Sequence, residues 1–259
     1  VNIKHNISDD FMVYGTYSEG FRPSGVNRLR PSDPAPKTYD ADYLESLELG
    51  FKSTIGDGKL VMNGAFYSMD WKDYQTTTYD LSLVAVAFVD NVGNAEITGI
   101  ELNMVYAIDD TTSLTYYYNG VDSTLSEDYY QNNVLYATSG NRLSYMPETS
   151  AYISLDKDYT LAGRSAYMNL DYSYTGDRYN SYENGAILLP SYGLANFRTG
   201  IDFNNTSLEL YINNILDKDA YLSRYNDFEG VGSSGYPGFG IRRTGSKPRV
   251  IGIRFRYRY

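Results

Sequence analysis

The chain has 259 residues, 42% of them hydrophobic, with 29 tyrosines, 10 phenylalanines, one tryptophan and a net charge of −10. The lack of cysteine rules out a disulfide or thiolate framework, and a single histidine, His5, speaks against a zinc or haem site. The acidic balance disfavours a nucleic-acid partner. No apolar run approaches the roughly 18 residues of a membrane-crossing helix, so contact with a bilayer would have to be made through strands.

The first segment, Val1 to Ile7, has neither an initiator methionine nor the charged and apolar regions of a signal peptide, and reads as a cut end. From there, period-two alternation between turn signals predicts eleven strands, at about 1–7, 11–20, 42–54, 59–75, 86–107, 112–121, 147–157, 164–177, 190–203, 206–216 and 247–259. No stretch of ten residues follows a 3.6 period, so the chain reads as all-β. The connections alternate in length. Short ones fall at Ser8 to Asp10, Ile55 to Gly58, Ile108 to Thr111, Asp158 to Gly163 and Asn204 to Asn205. Long ones fall at Phe21 to Ala41, Thr76 to Ala85, Val121 to Met146, Arg178 to Leu189 and Asp217 to Ser246. Short turns on one side and long loops on the other are the habit of outer-membrane barrels; a soluble sandwich mixes both lengths at both ends.

Within the strands each face has its own chemistry, because successive side chains point to opposite sides. At the C-terminus Ile251, Ile253, Phe255, Tyr257 and Tyr259 lie opposite Gly252, Arg254, Arg256 and Arg258. Leu208, Leu210 and Ile212 alternate with Ser207, Glu209 and Tyr211; Leu47, Leu49 and Phe51 alternate with Ser46, Glu48 and Lys52; Ile100, Leu102, Met104 and Tyr106 alternate with Glu101 and Asn103. One face is fit for lipid and the other for a hydrated interior. Aromatics at the strand ends, such as Tyr14, Tyr17, Tyr67, Trp71, Tyr172 and Tyr174, suit a membrane–water boundary, where a ring can be dry and its hydroxyl wet.

Three chemical signals read as ordinary structure. Gly230 to Gly235 spells a dinucleotide-binding glycine pattern but is followed by Pro237 and further glycines in place of a helix, so it reads as a loop. His5 could serve a barrel hydrolase as its base, yet no Gly-x-Ser-x-Gly turn accompanies it. Asp122, Glu127 and Asp128 could supply oxygen to calcium, and read instead as a solvated loop face.

Several blocks in fixed order resemble the TonB-dependent outer-membrane receptors. These are YGTYSEGFRPSG at Tyr14 to Gly25, LESLELGFKS at Leu44 to Ser53, AFYSMDWKDYQ at Ala65 to Gln75 and NVGNAEITGIEL at Asn91 to Leu102. NNILDKDAY at Asn213 to Tyr221 and PRVIGIRFRYRY at Pro248 to Tyr259 complete the series, the family ending in Phe where Tyr259 stands. The resemblance implies a 22-stranded antiparallel transmembrane barrel, of which residues 1–259 would be the C-terminal part with about eleven strands, the plug domain lying outside this chain. It implies transport across a Gram-negative outer membrane and no enzyme chemistry. The cargo would be a scarce bulky solute, a ferric siderophore first, with cobalamin, carbohydrate or haem as alternatives, and a passive porin as the reading in a different class. The ferric chelate would be cargo, and no cofactor is expected. Implied partners are the TonB complex through the plug, lipid and lipopolysaccharide around the wall, and the barrel assembly machinery through Phe255, Tyr257 and Tyr259. Arginine beside tyrosine in the loops suits an anionic aromatic chelate, since guanidinium pairs with carboxylate or catecholate oxygens and stacks on rings. The candidate contacts are Arg22, Arg28, Tyr79, Tyr130, Tyr136, Arg142, Arg178, Tyr182, Arg224 and Arg242.

Overall fold

The computed structural model describes residues 1–31, 33, 35–80, 86–225 and 242–258. Gly230 to Gly235 and Tyr259, weighed above, lie outside the described residues. In chain order the strands are β1 (Asn2–Ser8), β2 (Phe11–Arg22), β3 (Gly25–Val26), β4 (Thr38–Tyr39), β5 (Asp42–Ile55), β6 (Leu60–Lys72) and β7 (Gln75–Asp80). They continue with β8 (Val86–Asn91), β9 (Ala95–Asp109), β10 (Thr112–Leu125), β11 (Tyr129–Gln131), β12 (Val134–Ala137), β13 (Thr149–Leu161) and β14 (Arg164–Thr175). The last are β15 (Arg178–Tyr179), β16 (Leu188–Leu189), β17 (Tyr192–Phe203), β18 (Thr206–Asn213), β19 (Tyr221–Tyr225), β20 (Arg242–Gly245) and β21 (Val250–Tyr257).

Eleven of these strands form one antiparallel sheet in the order β1-β2-β5-β6-β9-β10-β13-β14-β17-β18-β21. The number and sequence of wall strands match the alternation pattern. Most strand ends move by a few residues, such as β10 running on to Leu125 and β13 to Leu161, and two segments differ more. The segment expected as one strand over 86–107 is two, β8 and β9, separated where Gly93 takes a φ of +94°; alternation carries through the break because both sides are strand. The strand expected over 59–75 ends at Lys72, and Gln75 already belongs to β7.

Short turns at one end of the sheet use residues that tolerate positive φ, among them Gly56, Asp57 and Gly58, Gly163, and Asn204. At the other end five long connections each carry one two-stranded hairpin: L1 (23–41) holds β3–β4, L2 (73–94) β7–β8, L3 (126–148) β11–β12, L4 (176–191) β15–β16 and L5 (214–249) β19–β20. Every neighbouring pair of wall strands is antiparallel, so β1 and β21, separated by ten pairings, run in the same direction. The two open edges therefore could not zip to each other in an antiparallel register.

Register gathers the apolar side chains of all strands on one face. Leu49 faces Phe66, which faces Ile100; further along, Leu114 faces Leu155, Leu155 faces Leu170, and Leu170 faces Phe197. The row ends with Leu210 opposite Ile253 and Leu208 opposite Phe255. These side chains are bare: Ile253 is 71% and Phe255 68% exposed. A face this wide and this apolar is of the kind that another apolar surface, protein or lipid, covers. On the opposite, polar face, Arg254 meets Glu209 at 2.5 Å, Tyr167 donates to the same carboxylate, and Asn196 and Arg198 converge on Asp171. Tyrosines on this face lie flat over glycines of the next strand, Tyr67 over Gly99 and Tyr211 over Gly252; a Cβ at either glycine would fall inside the ring.

Candidate ligand-capture site

All five loops spring from the same end of the sheet, and L2, L3 and L4 fold back over its polar face. There they enclose the one dry core formed by the described residues. Tyr67, Ile97 and Val121 of the wall pack with Val92, Ala95, Leu125, Tyr129, Ala137, Leu143 and Tyr182, flanked by Trp71, Tyr74, Tyr136 and Met146. The sheet thus has apolar groups on both faces near the loop end, bare on one and covered on the other. Burying the loop side chains fixes the hairpins to the wall.

Neighbouring loops are also joined by side chains that bond to the next loop. L1 joins L2 through Asn27, whose amide donates to Val89 O (2.8 Å) and accepts from Val89 N (2.9 Å). L2 joins L3 through Tyr129, which donates to Asp90 at 2.6 Å; burial and that carboxylate push the Tyr129 phenol well above its ordinary range. L3 joins L4 through Asn141, which donates to Tyr182 O and to Asn184, and through Arg142, which meets Asp177. L4 joins L5 through Arg178, whose Nη2 donates to the carbonyls of Tyr221 (3.0 Å) and Leu222 (2.8 Å), and through Asn180, which donates to Arg224 O.

The ten candidate contacts are distributed unevenly over this canopy. Arg28 and Tyr130 are exposed, and the Arg22 side chain is half-exposed while bound to Asp42. Tyr136 is half-buried against the loop core. Arg142 is largely covered, with Glu148 at 3.3 Å, Asp177 at 3.2 Å and its guanidinium over the Tyr179 ring. Arg178 and Tyr182 are buried, 4% and 3% exposed. Arg224 lends its carbonyl to Tyr145 and Asn180. Tyr79 and Arg242 lie on the backbones of β7 and β20. The guanidiniums of Arg142 and Arg178 are therefore spent on holding loops together and that of Arg22 is held by Asp42, whereas Arg28 and Tyr130 face open space.

Two recesses could hold a ligand, and only the first includes any of the ten. One, of about 280 Å³ between L3 and L4, is lined by Asn141, Arg142, Tyr179, Ser181, Tyr182 and Glu183. The other, of about 550 Å³ on the polar face of the wall, is lined by Tyr14, Lys52, Glu101, Tyr117, Asn119 and Tyr152 among others. Phenol, amide and a few charged groups in such recesses can hydrogen-bond and stack, which is binding chemistry. His5 sits on the apolar face of β1, opposite Val13. Glu127 and Asp128 accept from Asn94 N and Ser139 N and so cap the loop backbone. Sequence reasoning missed Asp42, Asn27, Asn91, Asn141 and Asn180. Each finds its partner far away along the chain, and a polar residue in a loop gives no local sign of that.

The profile described as "TonB dependent receptor-like, beta-barrel" matches residues 1–215. Among curated proteins the pesticin receptor of Yersinia enterocolitica is 26% identical over 150 residues, covering 58% of this chain and 21% of that protein. Among solved structures the ferric yersiniabactin uptake receptor FyuA from Yersinia pestis superposes with a TM-score of 0.78 at 19% identity, covering 99% of this chain and 36% of that one. The siderophore receptor PiuA from Acinetobacter baumannii gives a TM-score of 0.73 at 17% identity, covering all of this chain and 35% of that one. At these identities the superpositions show the fold. The chain spans about a fifth of the length of the curated relatives and about a third of the solved ones.

Proposed function

Because the chain belongs to the TonB-dependent receptor-like β-barrel family, we propose that it forms part of the wall of an outer-membrane receptor that imports a ferric siderophore in a Gram-negative bacterium. The observation that carries this reading is the pairing of a bare apolar face with loops that rise from one end and fold over the other face. Such an arrangement holds a ligand at the entrance of a lipid-embedded wall. The likeness to a ferric yersiniabactin uptake receptor and to a siderophore receptor supports iron chelates as cargo.

In this reading Arg28 and Tyr130 meet the chelate first, by charge-assisted hydrogen bonds and ring contact. Energy comes from TonB acting on a plug held in the lumen, lipid and lipopolysaccharide surround the apolar face, and Phe255 and Tyr257, with Tyr259, present the closing strand to the assembly machinery. No bond in the cargo is broken, so the protein is not an enzyme. The test is growth of a receptor-deletion strain under iron limitation with a panel of purified ferric siderophores, complemented by the full-length gene in backgrounds with and without TonB. One chelate should support growth only when both receptor and TonB are present. Uptake that persists without TonB would replace this reading with a passive porin.

A further inference from the structure

Asp42 opens β5 at the base of L1 and is 1% exposed. A carboxylate so enclosed is stable only if donors match its oxygens. They do, and they come from three separate segments. Oδ1 accepts from Arg22 N (3.2 Å) and Arg22 Nε (3.0 Å), at the end of β2. Oδ2 accepts from Arg22 Nε and Nη2, from the Trp71 indole of β6 (2.8 Å) and from Gln75 N of β7 (3.1 Å). The Arg22 guanidinium also lies over the Trp71 ring, 5.0 Å from its centre.

Gln75 completes the knot. Its amide donates to Pro23 O (3.1 Å) and Asp40 O (2.6 Å), the start and the end of L1, and its own carbonyl accepts from Arg22 Nη2 at 2.7 Å. A single joint would let the β7–β8 hairpin swing, but Asn91, across the hairpin from Gln75, reinforces it and one more contact stands away from it. Asn27 pairs both ways with Val89, and Asn91 bonds to Asp40 on both its amide atoms and to Asp73 O. Contacts at two separated places fix orientation as well as position.

We propose that Asp42 is a positioning residue that, through Arg22 and Gln75, joins L1 and L2 into one rigid body, so that the two loops open and close together. This goes beyond the transport reading and stands whatever the solute is. Asp42→Asn is nearly isosteric but replaces an acceptor oxygen by an NH2 group facing an array of donors, which leaves donors of Arg22, Trp71 or Gln75 without an acceptor.

The experiment uses the full-length receptor in detergent, with nitroxide labels at Val26→Cys in L1 and Ala87→Cys in L2, both exposed. Pulsed electron spin measurements should give one narrow distance in the parent and, with the separate Asn27–Val89 contact removed, in Asn27→Ala, and a distribution at least twice as broad once Asp42→Asn or Gln75→Ala is added to Asn27→Ala. Asp177→Asn, in L4, should leave the distance narrow. Labelling with 5-fluorotryptophan adds a direct signature: the Trp71 resonance, assigned through Trp71→Phe, should shift in Asp42→Asn while the heat-modifiable mobility of the folded barrel is retained. If Asp42→Asn fails to assemble, Gln75→Ala carries the test alone, since it removes the two bonds to L1 and leaves the buried carboxylate matched. A narrow distance that survives Gln75→Ala combined with Asn27→Ala, or a broad one already present in the parent, would overturn the proposal.

Discussion

At the scale of single residues, the decisive property of this chain is where an identical chemical change would be felt. Leu210 and Ile253 face each other across β18 and β21 on the bare apolar face, while Ser207 and Gly252 belong to the polar face of the same strands. Leu210→Arg or Ile253→Arg should destabilise the folded barrel by about 2–4 kcal/mol if these sites lie near the bilayer midplane. Ser207→Arg should cost clearly less, and reversible unfolding in lipid vesicles measures both. Equal penalties would mean that the faces are wrongly assigned. Arginine also shows why residue type alone did not locate the site. Arg28 is exposed, Arg142 is tied to Glu148 and Asp177, and Arg178 is buried against two carbonyls. All three are loop arginines near tyrosines, and only packing separates a free guanidinium from one already engaged.

At the scale of elements, the long loops are β-hairpins linked edge to edge, with titratable groups between them. Glu183 of L4 lies beside the L3–L4 recess. Burial raises its carboxyl above the ordinary 4.5, against a smaller downward pull from hydrogen bonds to Tyr136 and Ser181. An acid with a raised folded value binds more protons folded than unfolded, so L4 loses stability as pH climbs from about 4.5 through that raised value. Amide protection in L4, taken relative to the intrinsic base-catalysed exchange rate at each pH, should therefore be greater at pH 5 than at pH 8, and Glu183→Gln should flatten the dependence. An opposite slope in the parent protein would mean that the carboxyl is held by cations. The hairpins of L1 and L4 were hidden from sequence because their strands are short: β3, β4, β15 and β16 have two residues each, too few for alternation to show.

At the scale of the whole molecule, one consequence follows from strand parity. The open edges β1 and β21 point the same way, so neither this sheet alone nor a head-to-tail pair of identical sheets can close with antiparallel pairing throughout. Residues 1–259 expressed alone and refolded into detergent should show no heat-modifiable barrel band in gel electrophoresis, whereas the full-length receptor should. A compact, heat-modifiable species from the isolated segment would show that the edges find another way to pair.

The sequence by itself determined the wall: strict alternation in Leu208 to Ile212 and in Ile251 to Tyr257, divided by turns such as Asn204–Asn205, sets eleven strands and which side of each is apolar. It could do so because a strand's two faces repeat every second residue, a local rule that needs no knowledge of distant partners. Only the tertiary structure decided which loop side chains are free. Asp42 meets Gln75, Asn27 meets Val89 and Arg178 meets Leu222 across gaps of 33, 62 and 44 residues. Such bonds depend on how the hairpins fold over the polar face, and nothing in the local order of residues encodes that geometry.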